Sequence, residues 1–81
     1  HIEVAVAEDR SYQINDKALG GVGVDQLALA LRNAAGKQQE PVVVINADAR
    51  AAHQSVVNVM EAARRVGLTR ITFATQAQPA P

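Results

Sequence analysis

The sequence has no cysteine and no tryptophan, and it has a single tyrosine and a single phenylalanine. Without cysteine, neither disulfide bonds nor thiolate zinc ligands can stabilise the fold. The cellular compartment also cannot be inferred from cysteine usage. The charges of eight basic and eight acidic residues sum to zero, and the only basic cluster is Arg64 with Arg65. We therefore expect no electrostatic contact with nucleic acid. No apolar run approaches the roughly 18 residues that span a bilayer. The 81 residues predict one small domain with a compact core.

The most regular patterns lie in residues 41–75. Residues 42–45 are a β-branched run between Pro41 and Asn46, which predicts a short strand, interpreted as the central strand with both faces buried. Ile71 and Phe73 alternate with polar or small residues, which predicts a second strand. Between the two strands, apolar residues recur at the spacing of a helix that Gly67 ends: Ala52, Val56, Val59, Met60, Ala63 and Val66. Strand, helix and strand with short connections predict a parallel pair joined by a right-handed crossover.

The first half of the chain is less regular. Alternation in residues 2–14 predicts a β-hairpin, and residues 18–19 are interpreted as a brief edge strand. The glycines at 20, 21 and 23 lack the flanking residues of a nucleotide-binding loop, so they are interpreted as a connector. A helix begins at Val24 and ends at Gly36, and Leu29 falls off its apolar face, where we expect it to be exposed or half-covered.

These elements predict a two-layer α/β sandwich: an N-terminal β-hairpin, then helix, strand, helix and strand, with both helices on one face of a mixed sheet. Residues 1–75 would form the domain, and residues 76–81 a flexible tail rich in proline and alanine. Residues 42–45 are apolar on both sides of the predicted strand, whereas the two helices would cover one face of the sheet and leave the other open. Because that face is apolar at the predicted central strand, we expect a second copy of the chain or a bound peptide to cover it.

Three polar residues follow the predicted central strand, at the edge where open α/β sheets often bind ligands: Asp48, Arg50 and His53. A carboxylate, a guanidinium and an imidazole there can be interpreted as catalytic. The preferred interpretation is structural, with Asp48 capping the following helix or interacting favourably with its dipole, Arg50 in a surface ion pair and His53 at the border of the apolar stripe. Ser55 lies on the flank of the helix without a strained turn, so it is not a nucleophile. With only two histidines and no ligand spacing, we expect no metal site, and we expect no cofactor.

Several motifs together carry a family likeness. They are Ile45-Asn46-Ala47-Asp48-Ala49-Arg50, Val56-Val57-Asn58-Val59-Met60-Glu61-Ala62-Ala63-Arg64, Gly67-Leu68 and Ile71-Thr72-Phe73-Ala74-Thr75. The chain resembles the extracytoplasmic domain of the ExbD/TolR family of biopolymer transport proteins over residues 2–76. The sequence from Phe73 to Gln76 is closer to ExbD than to TolR. His53 stands where many relatives have tyrosine, and a pH-sensing role for its imidazole is a hypothesis.

The resemblance implies a periplasmic domain of a bacterial inner-membrane protein, whose membrane helix is absent from this chain, and it implies no enzymatic activity. Such proteins dimerise, associate with an ExbB-like channel subunit through the membrane helix, and couple the proton motive force to a TonB-like protein. We expect this domain to dimerise and to bind an extended partner segment by strand addition, with Ile71, Phe73 and Thr75 on the last strand and Asp48 and Arg50 as a polar rim. The residues expected at the partner or dimer contact are Val42, Val44, Ile71, Phe73 and Thr75. The alternatives are a TolR-like subunit of envelope stability, a module that binds a small metabolite at the Asp48 loop, and a rigid monomeric spacer.

Overall fold

The computed structural model describes residues 1–74, which form five strands and two helices. In chain order these are β1 (Ile2–Val6), β2 (Tyr12–Ile14), β3 (Lys17–Gly20), α1 (Val24–Ala35), β4 (Val42–Ala47), α2 (His53–Arg65) and β5 (Arg70–Phe73). Across the sheet the strands follow the order β3-β2-β1-β4-β5. The β1–β2 and β2–β3 pairs are antiparallel, whereas the β1–β4 and β4–β5 pairs are parallel. The predicted mixed sheet, hairpin and alternation of helices and strands are confirmed.

Both helices pack on the same face of the sheet. On β1, Ile2, Val4 and Val6 are buried while Glu3 and Ala5 between them are exposed, as expected for a strand with one covered face. Helix α1 contacts β1 and β2, helix α2 contacts β1 and β4, and the two helices contact each other. The core between the layers consists of the buried residues Ile2, Val4, Val6, Tyr12, Ile14, Leu27, Ala28, Leu31, Val43, Ile45, Val59, Ala62, Ala63 and Leu68.

The middle strand is β1, and the prediction that residues 42–45 form the central strand is wrong. Strand β4 lies second from one edge, between β1 and β5. The chain leaves β3 at the opposite edge, forms α1 and returns beside β1, so β1 has an antiparallel neighbour on one side and a parallel neighbour on the other. Residue pattern alone favours β4 as the centre because its β-branched run is the most apolar. Topology, however, places the alternating strand there.

The two hairpin turns use left-handed backbone conformations at residues other than glycine. Asn15 and Asp16 join β2 to β3 with φ angles of 48° and 70°, and a two-residue turn with both φ angles positive matches the twist of a hairpin. The Asn15 side-chain Oδ1 also accepts a hydrogen bond of 2.9 Å from the Glu3 backbone N–H, which ties the turn to β1. Arg10 has a φ of 70° in the turn between β1 and β2.

The helix ends follow the sequence, but the buried face of α2 is rotated from the predicted stripe. Gly36 ends α1 with a φ of 53°, and its N–H donates to the Arg32 carbonyl oxygen at 3.2 Å. Gly67 follows the end of α2 with a φ of 77°. Ser55 is 3% exposed instead of lying on the flank, while Val56 and Met60 are only half-buried. The reason is that α2 packs against both α1 and the sheet, so its buried arc is set by two neighbours.

Candidate partner-binding surface

Within residues 1–74, strand β5 is an edge of the sheet, and one side of its backbone has no neighbouring strand. The Ala74 N–H donates to the Ile45 carbonyl oxygen at 2.9 Å, so the backbone groups of residues 72 and 74 face β4. Because these groups alternate in direction along a strand, the N–H and C=O groups of Ile71 and Phe73 point away from the sheet. An additional strand can form hydrogen bonds with them.

The side chains of Ile71 and Phe73 lie on the helix side of this edge. Ile71 is in register with Val43 and Phe73 with Ile45, and paired residues project from the same face. Ile71 is half-buried and packs against the core, whereas Phe73 is 51% exposed. An exposed aromatic ring at a free sheet edge is apolar surface that a partner would cover.

Val42 and Val44 project from the opposite face of the sheet. They are in register with Arg70 and Thr72 of β5, and both valines are half-buried. The structure therefore brings Ile71 and Phe73 together on the helix side and Val42 and Val44 together on the open face. It does not combine the four into one patch. Thr75 lies outside the described residues, as does the predicted tail of residues 76–81.

The open face is more polar than the sequence predicts. Glu3, Gln13 and Asn46 project from it on three neighbouring strands, beside the small side chain of Ala5. The apolar part of this face is therefore the strip of β4 that Val42 and Val44 form. Glu3 and Gln13 are exposed, so the face can remain in water.

Asp48 organises the loop after β4 without capping α2. Its N–H donates to the Val6 carbonyl oxygen at 2.8 Å, and its side-chain Oδ1 accepts from the Arg50 N–H at 2.8 Å. Its carbonyl oxygen accepts from the Ala51 N–H at 2.9 Å, which completes the turn. The N-cap of α2 is Ala52, which has no side-chain hydrogen bond, so the predicted capping role is wrong. A carboxylate that accepts from a backbone N–H two residues later shapes its own turn.

Arg50 and His53 are both exposed, and the structure does not bring them into a site with Asp48. Only the backbone of Arg50 contacts the Asp48 carboxylate, and the predicted surface ion pair of Arg50 is not formed within residues 1–74. His53 is the first residue of α2. Residues 1–74 also contain no group of histidine, cysteine, aspartate and glutamate side chains able to hold a metal ion.

The charged groups that do interact lie at the start of α1 and near the end of α2. Glu61 accepts hydrogen bonds from Arg64 at 2.7 Å and from Arg65 at 3.3 Å, and Arg65 also forms an ion pair with Asp25 of α1. The hydrogen bonds from Arg64 and then Arg65 lower the pKa of the Glu61 carboxyl. Arg64, Arg65 and Asp25 are exposed and Glu61 is partly exposed, so these ion pairs stabilise the packing of the helices only weakly.

A groove between β3 and α1 was not predicted from the sequence. It encloses about 460 Å³ and is lined on its apolar side by Ile14, Leu19, Leu29 and Ala30. Leu29 is 60% exposed, as predicted from its position off the apolar face of α1. That single off-face leucine was the only sequence signal for the groove, because the pairing of β3 with β2 supplies the rest of its lining.

Neither helix of residues 1–74 has the length and hydropathy needed to cross a membrane. A search among curated proteins finds no match to the chain. The model of the family described as biopolymer transport protein ExbD/TolR, however, matches residues 1–78, which is nearly the entire chain. That family is associated with membranes and with transport and is not a family of enzymes. The chain therefore belongs to the ExbD/TolR family of biopolymer transport proteins.

Proposed function

We propose that this chain is the periplasmic domain of an ExbD-like protein of the bacterial inner membrane. It helps to couple the proton motive force to a TonB-like partner for uptake across the outer membrane. The family membership supports the general role in transport. The observation that carries the specific role is the free edge of β5, where the backbone groups of Ile71 and Phe73 point outward beside an exposed phenyl ring.

The mechanism that we propose is strand addition. An extended segment of the TonB-like protein pairs with β5, and the outward backbone groups supply its hydrogen bonds. Phe73 covers the apolar side chains of the segment, and a contact with Thr75 stays a prediction from the sequence. Because the other side of β5 is already paired with β4, docking requires no rearrangement of the sheet.

We also propose that the domain forms a homodimer and that the protein associates with an ExbB-like channel subunit through a membrane helix outside this chain. The strip of Val42 and Val44 supports dimerisation, because both valines are half-buried in the isolated chain and face away from the helices. A second copy that covered this strip would remove apolar surface from water.

A heteronuclear NMR titration of the 81-residue chain tests the proposal. The ligand is an extended peptide from the periplasmic linker of the TonB-like protein of the same genome, added at several concentrations of the chain. We expect amide shifts in residues 70–74 and line widths that increase with the concentration of the chain. Unchanged amides in β4 and β5 together with monomeric tumbling at every concentration would contradict both strand addition and dimerisation.

A second candidate function is binding of a small metabolite near Asp48. A concavity of about 340 Å³ on the open face reaches from Asp48 to Gln13 and includes the polar side chain of Asn46. A ligand there would raise the thermal unfolding midpoint of the chain. If metabolite libraries produce such a shift and the TonB-like peptide does not bind, the metabolite function replaces the proposed one. A TolR-like role in envelope stability is distinguished by binding of a TolA-like instead of a TonB-like segment.

A further inference from the structure

The free edge of β5 has two sides of different chemistry. On the helix side it presents Ile71 and Phe73, which are apolar. On the open face it presents Arg70 and Thr72, whose side chains are exposed. A strand that pairs with this edge places alternate side chains against each of these two sides.

Arg70 is available to an incoming charge. Arg64 and Arg65 are held by Glu61 and Asp25, but Arg70 forms no ion pair within residues 1–74. It is the first residue of β5, so its guanidinium lies at one end of the edge, and the apolar side chain of Phe73 lies at the other. The two ends of the edge therefore differ in chemistry: the first residue of β5 is cationic and the last is aromatic.

We infer that the segment recognised by β5 has two apolar residues separated by one residue, with an acidic residue at one end of this triplet. The inference rests on the proposed strand addition and specifies its ligand. The apolar residues lie opposite Ile71 and Phe73, and the residue between them lies opposite Thr72. The carboxylate lies on the open face beside Arg70, where opposite charges across a strand pair attract.

The position of the acidic residue reports the direction of the segment. In a parallel strand the residue opposite Arg70 precedes the apolar triplet, whereas in an antiparallel strand it follows the triplet. Sequences of the form Glu-Val-Thr-Val and Val-Thr-Val-Glu therefore distinguish the two orientations, although their compositions are identical.

The experiment measures the affinity of the 81-residue chain for these two sequences in blocked peptides with Gly-Ser flanks, and for the same peptides with lysine in place of glutamate. We expect shifts in residues 70–74, with one glutamate peptide binding about two- to fivefold more tightly than its lysine counterpart at low salt. The difference decreases at high salt because the ion pair is exposed.

Charge reversal in the protein provides the specificity test. In Arg70→Glu the preference should invert, so that the lysine peptide binds more tightly than the glutamate peptide. The matched control is Lys17→Glu on β3, which reverses an exposed cation on the opposite edge of the sheet and should leave the preference unchanged.

The outcomes separate this inference from the proposed function. Shifts in residues 70–74 with equal affinity for glutamate and lysine peptides overturn the inferred recognition pattern and leave strand addition in place. The same holds if Arg70→Glu and Lys17→Glu change the preference equally. If residues 70–74 respond neither to these peptides nor to the natural TonB-like segment, strand addition at β5 is overturned together with the pattern.

Discussion

Phe73 lies opposite Ile45 in the parallel register of β5 and β4, yet Phe73 is 51% exposed and Ile45 is 1% exposed. Both side chains project from the helix side of the sheet. The difference arises because β4 has a neighbouring strand on each side and contacts α2, whereas β5 has a neighbour on one side only among residues 1–74. The phenyl ring therefore marks the boundary between the core and the edge where we propose that a partner strand pairs.

Replacing Phe73 with proline should prevent strand addition without disrupting the sheet. The Phe73 N–H points outward, so proline removes a donor that β4 does not use. We expect the TonB-like peptide to bind at least about tenfold more weakly, because a hydrogen bond at the interface is lost and the proline ring obstructs pairing. NMR titration measures the affinity, and the amide spectrum of β4 reports whether the fold is retained.

The control is Phe73→Ala, which removes the ring and keeps the N–H. It should weaken binding less than Phe73→Pro, since the backbone pairing remains. Equal losses in the two variants would mean that the ring alone contacts the partner, and strand addition would then be wrong.

Replacing Asp16 with glycine should stabilise the domain. Asp16 has a φ of 70° in the two-residue turn between β2 and β3, a conformation that costs glycine less than aspartate. We expect the free energy of unfolding to increase by about 0.5 kcal/mol, measured by urea denaturation.

Asn15→Gly is the matched control, because Asn15 also has a positive φ but its side chain accepts a hydrogen bond from the Glu3 N–H. Loss of that bond should offset the backbone gain. An Asp16→Gly variant less stable than the parent chain would refute the assignment of strain to this turn.

Asp48 should matter for the stability of its turn through a hydrogen bond and not through its charge. Asp48→Ala removes the acceptor of the Arg50 N–H and should lower the free energy of unfolding by about 1 kcal/mol. Asp48→Asn keeps an acceptor at the same place and should remain within about 0.5 kcal/mol of the parent chain. Equal destabilisation by both variants in urea denaturation would instead indicate that the negative charge itself is required.

The stabilising contribution of ionised Glu61 should be lost in acid, so the domain should become less stable as the pH falls. Its pKa is lowered in the folded chain by the hydrogen bonds from Arg64 and Arg65, so folding favours its ionised form. The resulting stabilisation is present above the ordinary glutamate value of 4.5 and is lost as the pH falls through the lower folded pKa. Unfolding experiments at a series of acidic pH values should show a weaker pH dependence for Glu61→Gln than for the parent chain.

Glu8→Gln serves as the control for this measurement, because Glu8 is exposed and forms no ion pair within residues 1–74. Some acid sensitivity should persist in both variants, since hydrogen bonds from Ser11 also lower the pKa of Asp9. If Glu61→Gln and the parent chain lose stability identically as the pH falls, the contacts with Arg64 and Arg65 do not stabilise the fold.

The sequence predicted the local features because each depends on neighbouring residues. The alternation of Ile2, Val4 and Val6 identified a strand with one covered face. The glycine at position 36 identified the end of α1, and its backbone is left-handed there. The exposure of Leu29 followed from helical spacing alone. The role of Asp48 could not be predicted in this way. Its carboxylate is only a few residues from both the Arg50 N–H, which it binds, and the first N–H groups of α2, so the sequence does not distinguish a turn from a helix cap.

The segments that form strands and helices, the ends of the helices and, through the motifs, the family of the chain all follow from the amino-acid sequence. The place of β1 in the middle of the sheet does not, and neither does the projection of Val42 and Val44 from the face opposite to Ile71 and Phe73. A period of two residues shows which side chains of one strand share a face, but residues 42–45 are apolar throughout, so the sequence does not show which of their two faces is buried. Packing of the helices against one face of the sheet decides this, and that arrangement joins residues far apart in the chain.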